Sequence, residues 1–215
     1  MKLDLYPELT SLTDNDLLLI WDAETNSTKK IKASTLKTYI NTSSGKELAI
    51  TASGDSNGLF YWIGTSGGTT TWSSPTGKGL VITASSIGSG SVSSLVDRAN
   101  SEFFTNSDTN AWVNFYLGGK SLKCNYYSIK TRSSSSGYHP RSWKLQGSND
   151  NSNWVDLDSQ VNNTTLTANS QWLSIPVANS SVAYTNFRIY MTGNNSSGFG
   201  HLVLGEVELY GTYFG

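Results

Sequence analysis

Short apolar runs separated by clusters of Gly, Ser, Asn and Asp recur along most of the chain. In the clearest runs apolar and other positions alternate, as at Val113, Phe115 and Leu117, which would share one side of a strand. A period of two is typical of a β-strand with one buried face. The predicted strands are 59–63, 80–84, 112–117, 125–131, 142–147, 154–157, 171–176, 185–191 and 201–211.

These runs predict an all-β main domain. About nine short strands with turn signals between them, and no long helical pattern, are typical of a β-sandwich or jelly roll. We assign this domain to residues 50–215.

The N-terminal residues have a different pattern. Two strands at 17–22 and 28–32 would form a hairpin, followed by a short helix with Ser34 as its N-cap. Leu36 and Ile40 would share one face of that helix.

A hairpin with so short a helix buries too little apolar surface to be stable alone. We therefore expect residues 1–42 to attach the chain to another protein or to oligomerise it, with residues 43–49 as a linker. An arm packed on the main domain would also satisfy the burial argument.

The charge of the chain and its lack of targeting signals limit the kinds of partner that it is expected to bind. Only 14% of residues are charged, and 15 basic against 16 acidic residues give a net charge of −1. Such a chain has no electrostatic footprint for nucleic acid or an anionic membrane. The apolar run 17–21 is too short to cross a bilayer, and no secretion signal is recognisable. Cys124 is the single cysteine, so no internal disulfide is expected. Because no secretion signal is recognisable, we expect the protein to be made in a cytoplasm.

Catalytic motifs are missing from the sequence. The two histidines, His139 and His201, have no metal-ligand spacing, and no G-x-S-x-G, H-E-x-x-H or P-loop occurs. Asp156 and Asp158 are interpreted as the solvated face of a hairpin. We predict that the chain is not an enzyme and has no cofactor, although a carboxylate pair distant in sequence remains an alternative.

The segment SNDNSN at 148–153 joins two predicted strands. Asn and Asp accept positive φ and hydrogen-bond their own backbone, so the segment predicts a hairpin turn. It lacks the Gly and the terminal Glu that an EF-hand calcium loop requires. A metal loop is therefore the weaker interpretation.

The stretch PRSWKLQGSNDNSNWVDL at 140–157 resembles the strand–turn–strand signature of discoidin (F5/8 type C) domains. The segments 58–75, 93–118 and 126–150 resemble other parts of the same family, and together the resemblance covers about residues 50–211. It implies a discoidin-like, galactose-binding-like β-sandwich. The chain departs from the family at FYLGG, where "DLG" is expected, and in lacking the paired cysteines of secreted members.

In that family, loops at one end of the sandwich form the ligand surface. The resemblance implies that these are loops 64–72, 99–110 and 131–141. Aromatic rings suit the apolar side of a sugar, and amide or guanidinium groups suit its hydroxyls. The candidate ligand-binding residues are Trp72, Phe103, Phe104, Asn110, Arg132, Tyr138, His139 and Arg141.

Structural roles compete with these assignments. Trp72 would alternatively pack under its Gly-rich loop, and Arg132 and Arg141 would pair with carboxylates such as Asp97 or Glu102. Of Phe103 and Phe104, adjacent in an extended segment, one ring would face inward and one outward. Core packing is expected of Trp112, Trp143, Trp154 and Trp172. Asp97 and Arg98 are interpreted as architectural; a structural calcium ion there has no ligand count to support it.

The N-terminal stretch LYPELTSLTDNDLLLIWDAETNSTKKIKASTLKTYI is similar to a short module at the start of many phage tail-fibre and other virion proteins. That resemblance implies a virion protein, joined to other virion proteins through residues 1–42, whose main domain binds a host surface glycan. A homo-oligomer is expected; a trimer would suit a fibre, although no heptad run supports it. The alternatives are a structural virion subunit without sugar binding and a cellular carbohydrate-binding or adhesion module.

Overall fold

The computed structural model describes residues 13–36, 45–134, 137–179 and 181–215. The chain forms two compact units, Met1–Lys46 with Phe214, and Glu47–Tyr213 with Gly215. The strands are β1 (Leu17–Asp22), β2 (Ser27–Lys32), β3 (Lys46–Leu48), β4 (Val81–Ala84), β5 (Phe103–Phe104), β6 (Trp112–Tyr116), β7 (Ser121–Lys130), β8 (Trp143–Ser148), β9 (Val155–Gln160), β10 (Trp172–Pro176), β11 (Asn186–Met191), β12 (Val203–Leu204) and β13 (Glu206–Phe214). The helices include the α-helix Leu59–Gly64 and the 3-10 helices Pro75–Lys78 and Val92–Val96.

In the first unit, β1 and β2 form the predicted antiparallel hairpin. Asp22 closes its turn, because its carboxylate accepts hydrogen bonds from the backbone N–H groups of Glu24 and Thr25. The helical turn that follows occupies 33–36 and so begins one residue before the predicted N-cap Ser34. The rest of the predicted helix, including Ile40, lies outside the described residues.

In the second unit, two antiparallel sheets carry the architecture, one of five strands in the order β4-β6-β11-β8-β9 and one of four in the order β10-β7-β13-β3. A short β12–β5 pair is added. The inward residues of β6, Val113 and Phe115, are buried together with Phe187 and Ile189 of β11. The predicted β-sandwich is therefore confirmed.

Seven of the nine predicted strands are present with shifted ends, and the strand predicted at 201–211 is divided at Gly205 into β12 and β13. The prediction for 59–63 is wrong. That run is an α-helix, Leu59–Gly64. A short apolar run fits a buried strand or a buried helix equally well. Here the carboxyl group of a distant residue, Glu208, accepts hydrogen bonds from the N–H groups that open the helix. β3, within the segment predicted as a linker, adds a strand whose Leu48 is part of the core.

The SNDNSN segment is a hairpin turn between β8 and β9. Asp150 accepts hydrogen bonds from the backbone N–H groups of Ser152 and Asn153, and Asn151 has a φ of 57°. The register of this pair shifts between Leu145 and Gln146, a bulge that no sequence signal announced.

The two aspartates of β9 have different roles. Asp156 pairs with Lys144 at 2.6 Å on the solvated side, as predicted. Asp158 instead accepts a hydrogen bond from the hydroxyl of Tyr127 at 2.6 Å. That hydroxyl accepts in turn from the indole of the buried Trp143. The core prediction is confirmed for Trp143, whereas Trp112, Trp154 and Trp172 are only half-buried.

Candidate functional site

Strand β5 sets two neighbouring phenylalanines on opposite sides. Phe103 is fully buried in the core, and Phe104 is half-buried on the outer side. One ring therefore faces inward and the other outward, as the alternation of an extended segment predicts.

Arg132 follows β7 and lies against the outward ring. Its guanidinium carbon is 4.9 Å from the centroid of Phe104 and 5.0 Å from the centroid of Tyr138. Its Nε is 3.8 Å from a carboxylate oxygen of Glu102. A guanidinium over aromatic faces is attracted by their quadrupoles, and the attraction grows as water is excluded. Because Arg132 is buried, it anchors the loop after β7 to β5.

Tyr138 extends the cluster toward solvent. Its backbone adopts a φ of 58°, and its N–H donates to the hydroxyl of Ser197 at 3.0 Å. Its ring stacks on Phe199 with centroids 5.7 Å apart and an interplanar angle of 14°. His201 lies at the edge of both rings, 6.0 Å from Tyr138 and 6.1 Å from Phe199. Phe199 is 48% exposed, so part of its surface meets solvent.

Asn195 shapes the loop that presents Phe199. Its side-chain oxygen accepts hydrogen bonds from the N–H groups of Ser197 and Phe199, and its amide donates to the carbonyl of His201. The loop therefore has a fixed conformation. Because the ring is already held in place, the loop loses little conformational entropy when a ligand packs on it.

His139 is buried behind Tyr138. Its backbone N–H donates to Ser196, and its ring Nε2 accepts from the N–H of Gly137. Burial, followed by the charges of Arg141 and Arg132, lowers the pKa of His139 below its ordinary value. The imidazole is therefore neutral at neutral pH, and its buried Nδ1 has no hydrogen-bond partner among the described residues.

We call Phe104, Arg132, Tyr138, Phe199 and His201 the aromatic cluster. It combines a solvent-exposed ring with hydrogen-bonding groups at its border, and the Arg132 charge is offset by Glu102. Such a surface suits an amphipathic, uncharged ligand with one apolar face.

Four predicted site residues lie elsewhere. Phe103 is core. Trp72 packs against Gly64 at the end of the α-helix, as its structural alternative proposed. Asn110 accepts a hydrogen bond from the hydroxyl of Tyr190. Arg141 donates to the backbone carbonyls of Asn163 and Leu166 rather than to a carboxylate, which makes it a loop anchor.

The structure thus brings together Phe104, Arg132 and Tyr138, with His139 behind them. Sequence reasoning missed Phe199 and His201, because the segment 194–201 lies outside the three loops that the resemblance implied. Its signal was a single large aromatic residue within NNSSGFG, an otherwise small and polar run.

Asp97 contacts its own loop, and Arg98 contacts the segment before the α-helix. The carboxylate of Asp97 accepts a hydrogen bond from the backbone N–H of Ala99 at 2.8 Å. The guanidinium of Arg98 donates to the carbonyl of Ser56 and lies 4.6 Å above the ring of Tyr61. No group of three or more His, Cys, Asp or Glu that could hold a metal ion occurs within the described ranges. Within the same ranges, no helix has the length and apolar character to span a membrane.

The curated proteins that resemble this chain include one from a plant and one from an insect. A BTB/POZ domain-containing protein of Arabidopsis thaliana is 33% identical over 186 residues, 80% of this chain and 23% of that protein. The E3 ubiquitin-protein ligase Ufd4 of Drosophila melanogaster is 31% identical over 174 residues, 75% of this chain and 6% of that protein. The chain therefore spans less than a quarter of the length of either relative.

Solved structures share the fold. CBM32-3 from a family 31 glycoside hydrolase of Clostridium perfringens superposes with a TM-score of 0.53 at 16% identity, over 62% of this chain and 92% of that chain. CpGH89CBM32-5 from Clostridium perfringens, solved in complex with GalNAc-beta-1,3-galactose, gives 0.50 at 15% identity over 61% of this chain and 95% of that chain. Identities this low support the fold alone. These four proteins come from a plant, a fly and a bacterium, so the tail-fibre resemblance of residues 1–42 gains no support from them.

The family model for the F5/8 type C domain matches residues 81–203, more than half of the chain. The match contains the five-stranded sheet, the β8–β9 hairpin and every member of the aromatic cluster. This chain therefore belongs to the F5/8 type C domain family.

Proposed function

We propose that the chain is a non-catalytic carbohydrate-binding module that holds a neutral glycan at the aromatic cluster. The observation that carries the proposal is the stack of Tyr138 on Phe199, with 48% of Phe199 exposed. Carbohydrates present an apolar face of C–H groups, which packs on an exposed ring, and a border of hydroxyls, which needs polar partners.

The charge of the cluster supports a neutral ligand. Arg132 is close to the carboxylate of Glu102, so the pair contributes little net charge. Glu102 also accepts a hydrogen bond from the hydroxyl of Ser134 at 2.7 Å. A sulfated or sialylated glycan would therefore find no free positive charge in this pair.

The relatives favour a cellular setting over a viral one. They are plant, fly and bacterial proteins, and this chain matches only a part of each curated relative. A module that attaches a longer or multimeric protein to glycan fits this pattern better than a tail-fibre component does. A single weak site would gain strength from repeated copies.

The N-terminal hairpin supports a role in assembly. Leu17, Leu19 and Trp21 alternate along β1 and are 59%, 71% and 64% exposed. Three large apolar side chains on one face of a two-stranded sheet are typical of a surface that docks onto another chain. We propose that residues 1–42 attach the glycan-binding domain to a partner or to further copies of itself.

A glycan array tests the proposal with the full chain, tetramerised through a tag to supply avidity. GalNAc-beta-1,3-galactose is the first probe, because a structural neighbour was solved with it. Phe199→Ala should lower apparent affinity at least about tenfold, the loss expected when one stacking ring is removed. Val161→Ala, which trims an apolar side chain with 74% exposure outside the cluster, is the matched control.

Two results would overturn the proposal. One is a folded protein that binds no glycan on a broad array, which would favour a purely structural module. The other is glycan binding that Phe199→Ala leaves unchanged, which would place the site elsewhere on the domain.

A further inference from the structure

A cavity of about 390 Å³ lies on the outer face of the five-stranded sheet. It shares no lining residue with the aromatic cluster. Its floor comes from β6, where Val113 and Phe115 point into the core and Asn114 and Tyr116 belong to the opposite face. The floor of the cavity is therefore an inner strand of the sheet rather than a loop.

Neighbouring strands extend this floor. In the sheet register, Thr83 of β4 lies beside Asn114. Val81 of β4 and Asn186 of β11 lie on either side of Tyr116. Tyr116 and Val81 are 38% and 51% exposed, so the cavity has an apolar patch next to side-chain amides and a hydroxyl.

Asn114 is the unusual residue of this floor. It is only 4% exposed, and its amide nitrogen donates to the side-chain oxygen of Asn151 at 3.2 Å. Its own oxygen, Oδ1, is buried and has no hydrogen-bond partner among the described residues. Buried polar atoms are nearly always paired, so an unpaired acceptor in the lining of a cavity indicates a donor supplied from outside.

The β8–β9 turn holds Asn151 in place above the floor. Asn151 has a φ of 57°, and the turn around it is fixed by the carboxylate of Asp150. Hydrogen bonds from the side chain and backbone of Asn153, and from the backbone of Ser152, hold the pKa of Asp150 well below its ordinary value. The amide that faces Asn114 is thus positioned before any ligand arrives.

The lining also restricts ligand charge. It contains no Lys, Arg or His, and Asp150 is its one ionised group. A phosphate, a sulfate or a sialic acid would find no counter-ion there. A ligand with several hydroxyl or acetamido groups would find amide donors, an amide acceptor and a ring to pack against.

We propose that this cavity, the asparagine pocket, is a second saccharide site that binds a neutral sugar, with Asn114 Oδ1 accepting a hydrogen bond from a ligand hydroxyl or acetamido N–H. The pocket would let one domain engage two sugar units or two glycan chains. This proposal is based on the geometry of the pocket and does not require that the aromatic cluster bind the same sugar.

The test is an NMR titration of the full chain, labelled with ¹⁵N. The probes are galactose, N-acetylgalactosamine, glucose and N-acetylglucosamine, each raised to about 50 mM because a single weak sugar site is expected near the millimolar range. The same titrations are repeated on Phe199→Ala, which removes the exposed ring of the aromatic cluster. Sialic acid and N-acetyl-triglycine amide serve as anionic and peptide probes.

The expected result is saturable shifts at the amides of Asn114, Asn151 and Asn186 with at least one neutral sugar, retained in Phe199→Ala. Asn151→Gly keeps the positive φ while removing the amide, so it should weaken this binding at least fivefold without unfolding the turn. Asn114→Leu should abolish the shifts and raise the melting temperature, because it removes an unpaired buried acceptor. A purely structural Asn114 would lower the melting temperature instead.

The outcomes separate the two proposals. Shifts confined to Tyr138, Phe199 and their neighbours would overturn the asparagine pocket and leave the aromatic cluster intact. Shifts confined to the asparagine residues would support the pocket and count against the cluster. Shifts caused only by the peptide or by sialic acid, or no shifts with any probe, would overturn the pocket as a neutral-saccharide site.

Discussion

The carboxyl group of Glu208, in β13, accepts a hydrogen bond from the backbone N–H of Phe60 at 2.7 Å through one oxygen, and its second oxygen accepts from Tyr61 at 3.2 Å. Glu208 is only 4% exposed. The first N–H groups of a helix have no partner within the helix, so a carboxyl group from the sheet fixes the start of Leu59–Gly64. The helix is thereby tied to the sandwich.

Burial makes this link sensitive to pH. It raises the pKa of Glu208 from 4.5 to about 8, and burial together with the charge of Asp97 raises that of Glu206 to about 7. The folded protein then holds protons that the unfolded chain has released, so the free energy of unfolding falls as pH rises toward these values. We expect a lower melting temperature at about pH 8.5 than at about pH 6.5, with up to about 1.4 kcal/mol lost per pH unit for each carboxyl.

Between pH 6.5 and 8.5, the titration of His139 does not offset the effect of the two glutamates on stability. The lowered pKa of His139 makes stability rise with pH, but only below the ordinary histidine value of 6.5. Glu208→Gln should flatten the pH dependence of the melting temperature above pH 6.5, as should Glu206→Gln to a smaller degree. A wild-type melting temperature that is constant or rises across the window would contradict the assignment.

Gly211, in β13, leaves no room for a side chain against the backbone of β7. It has a φ of 134°, and a Cβ added there would lie 1.9 Å from the carbonyl oxygen of Lys123 in β7. Gly211→Ala should therefore cost about 3 kcal/mol or more, since backbone atoms must move. Gly77→Ala is the matched control, because a Cβ there meets nothing within 4 Å. Urea unfolding of both variants checks the difference, and equal midpoints would be incompatible with this close packing.

The Tyr127 hydroxyl links a buried indole to a carboxylate. It accepts from Trp143 at 2.9 Å and donates to Asp158 at 2.6 Å. Tyr127→Phe leaves the indole N–H without its partner, and an unpaired buried donor costs about 1–3 kcal/mol. Tyr116→Phe, at an exposed hydroxyl, should change the free energy of unfolding by less than about 0.5 kcal/mol. Equal losses in the two variants would show that the hydroxyl of Tyr127 contributes nothing specific.

The sequence predicted the strands well because one face of each is buried, and alternation records that burial directly. It failed at 59–63, where five apolar residues carry no periodicity that separates a strand from a helix. The deciding partner, Glu208, lies 148 residues from Phe60, beyond the reach of any local pattern.

In the candidate site, too, the sequence predicted the features that depend on local pattern and missed those that depend on distant contacts. The loop 131–141 could be identified from the family resemblance. Adjacency predicted that one of Phe103 and Phe104 would face outward, but only the structure shows that it is Phe104. Phe199 could not be identified, because its proximity to Tyr138 depends on how two loops close against each other. Asp158 was placed on the solvated face because strict alternation was assumed, whereas the β8–β9 bulge breaks the register just before it.

A last prediction tests whether the position of Arg132 in the aromatic cluster determines glycan affinity. Its guanidinium lies over both Phe104 and Tyr138, a contact that depends on a flat, delocalised cation. Arg132→Lys keeps the charge beside Glu102 but loses this stacking, so we expect at least about a tenfold loss of glycan affinity on the array. Arg141→Lys is the matched control, because Arg141 binds the carbonyls of Asn163 and Leu166 outside the aromatic cluster. That variant should lower the melting temperature while leaving affinity unchanged. Affinity that survives Arg132→Lys and falls in Arg141→Lys would move the glycan away from the aromatic cluster and toward the loop that Arg141 anchors.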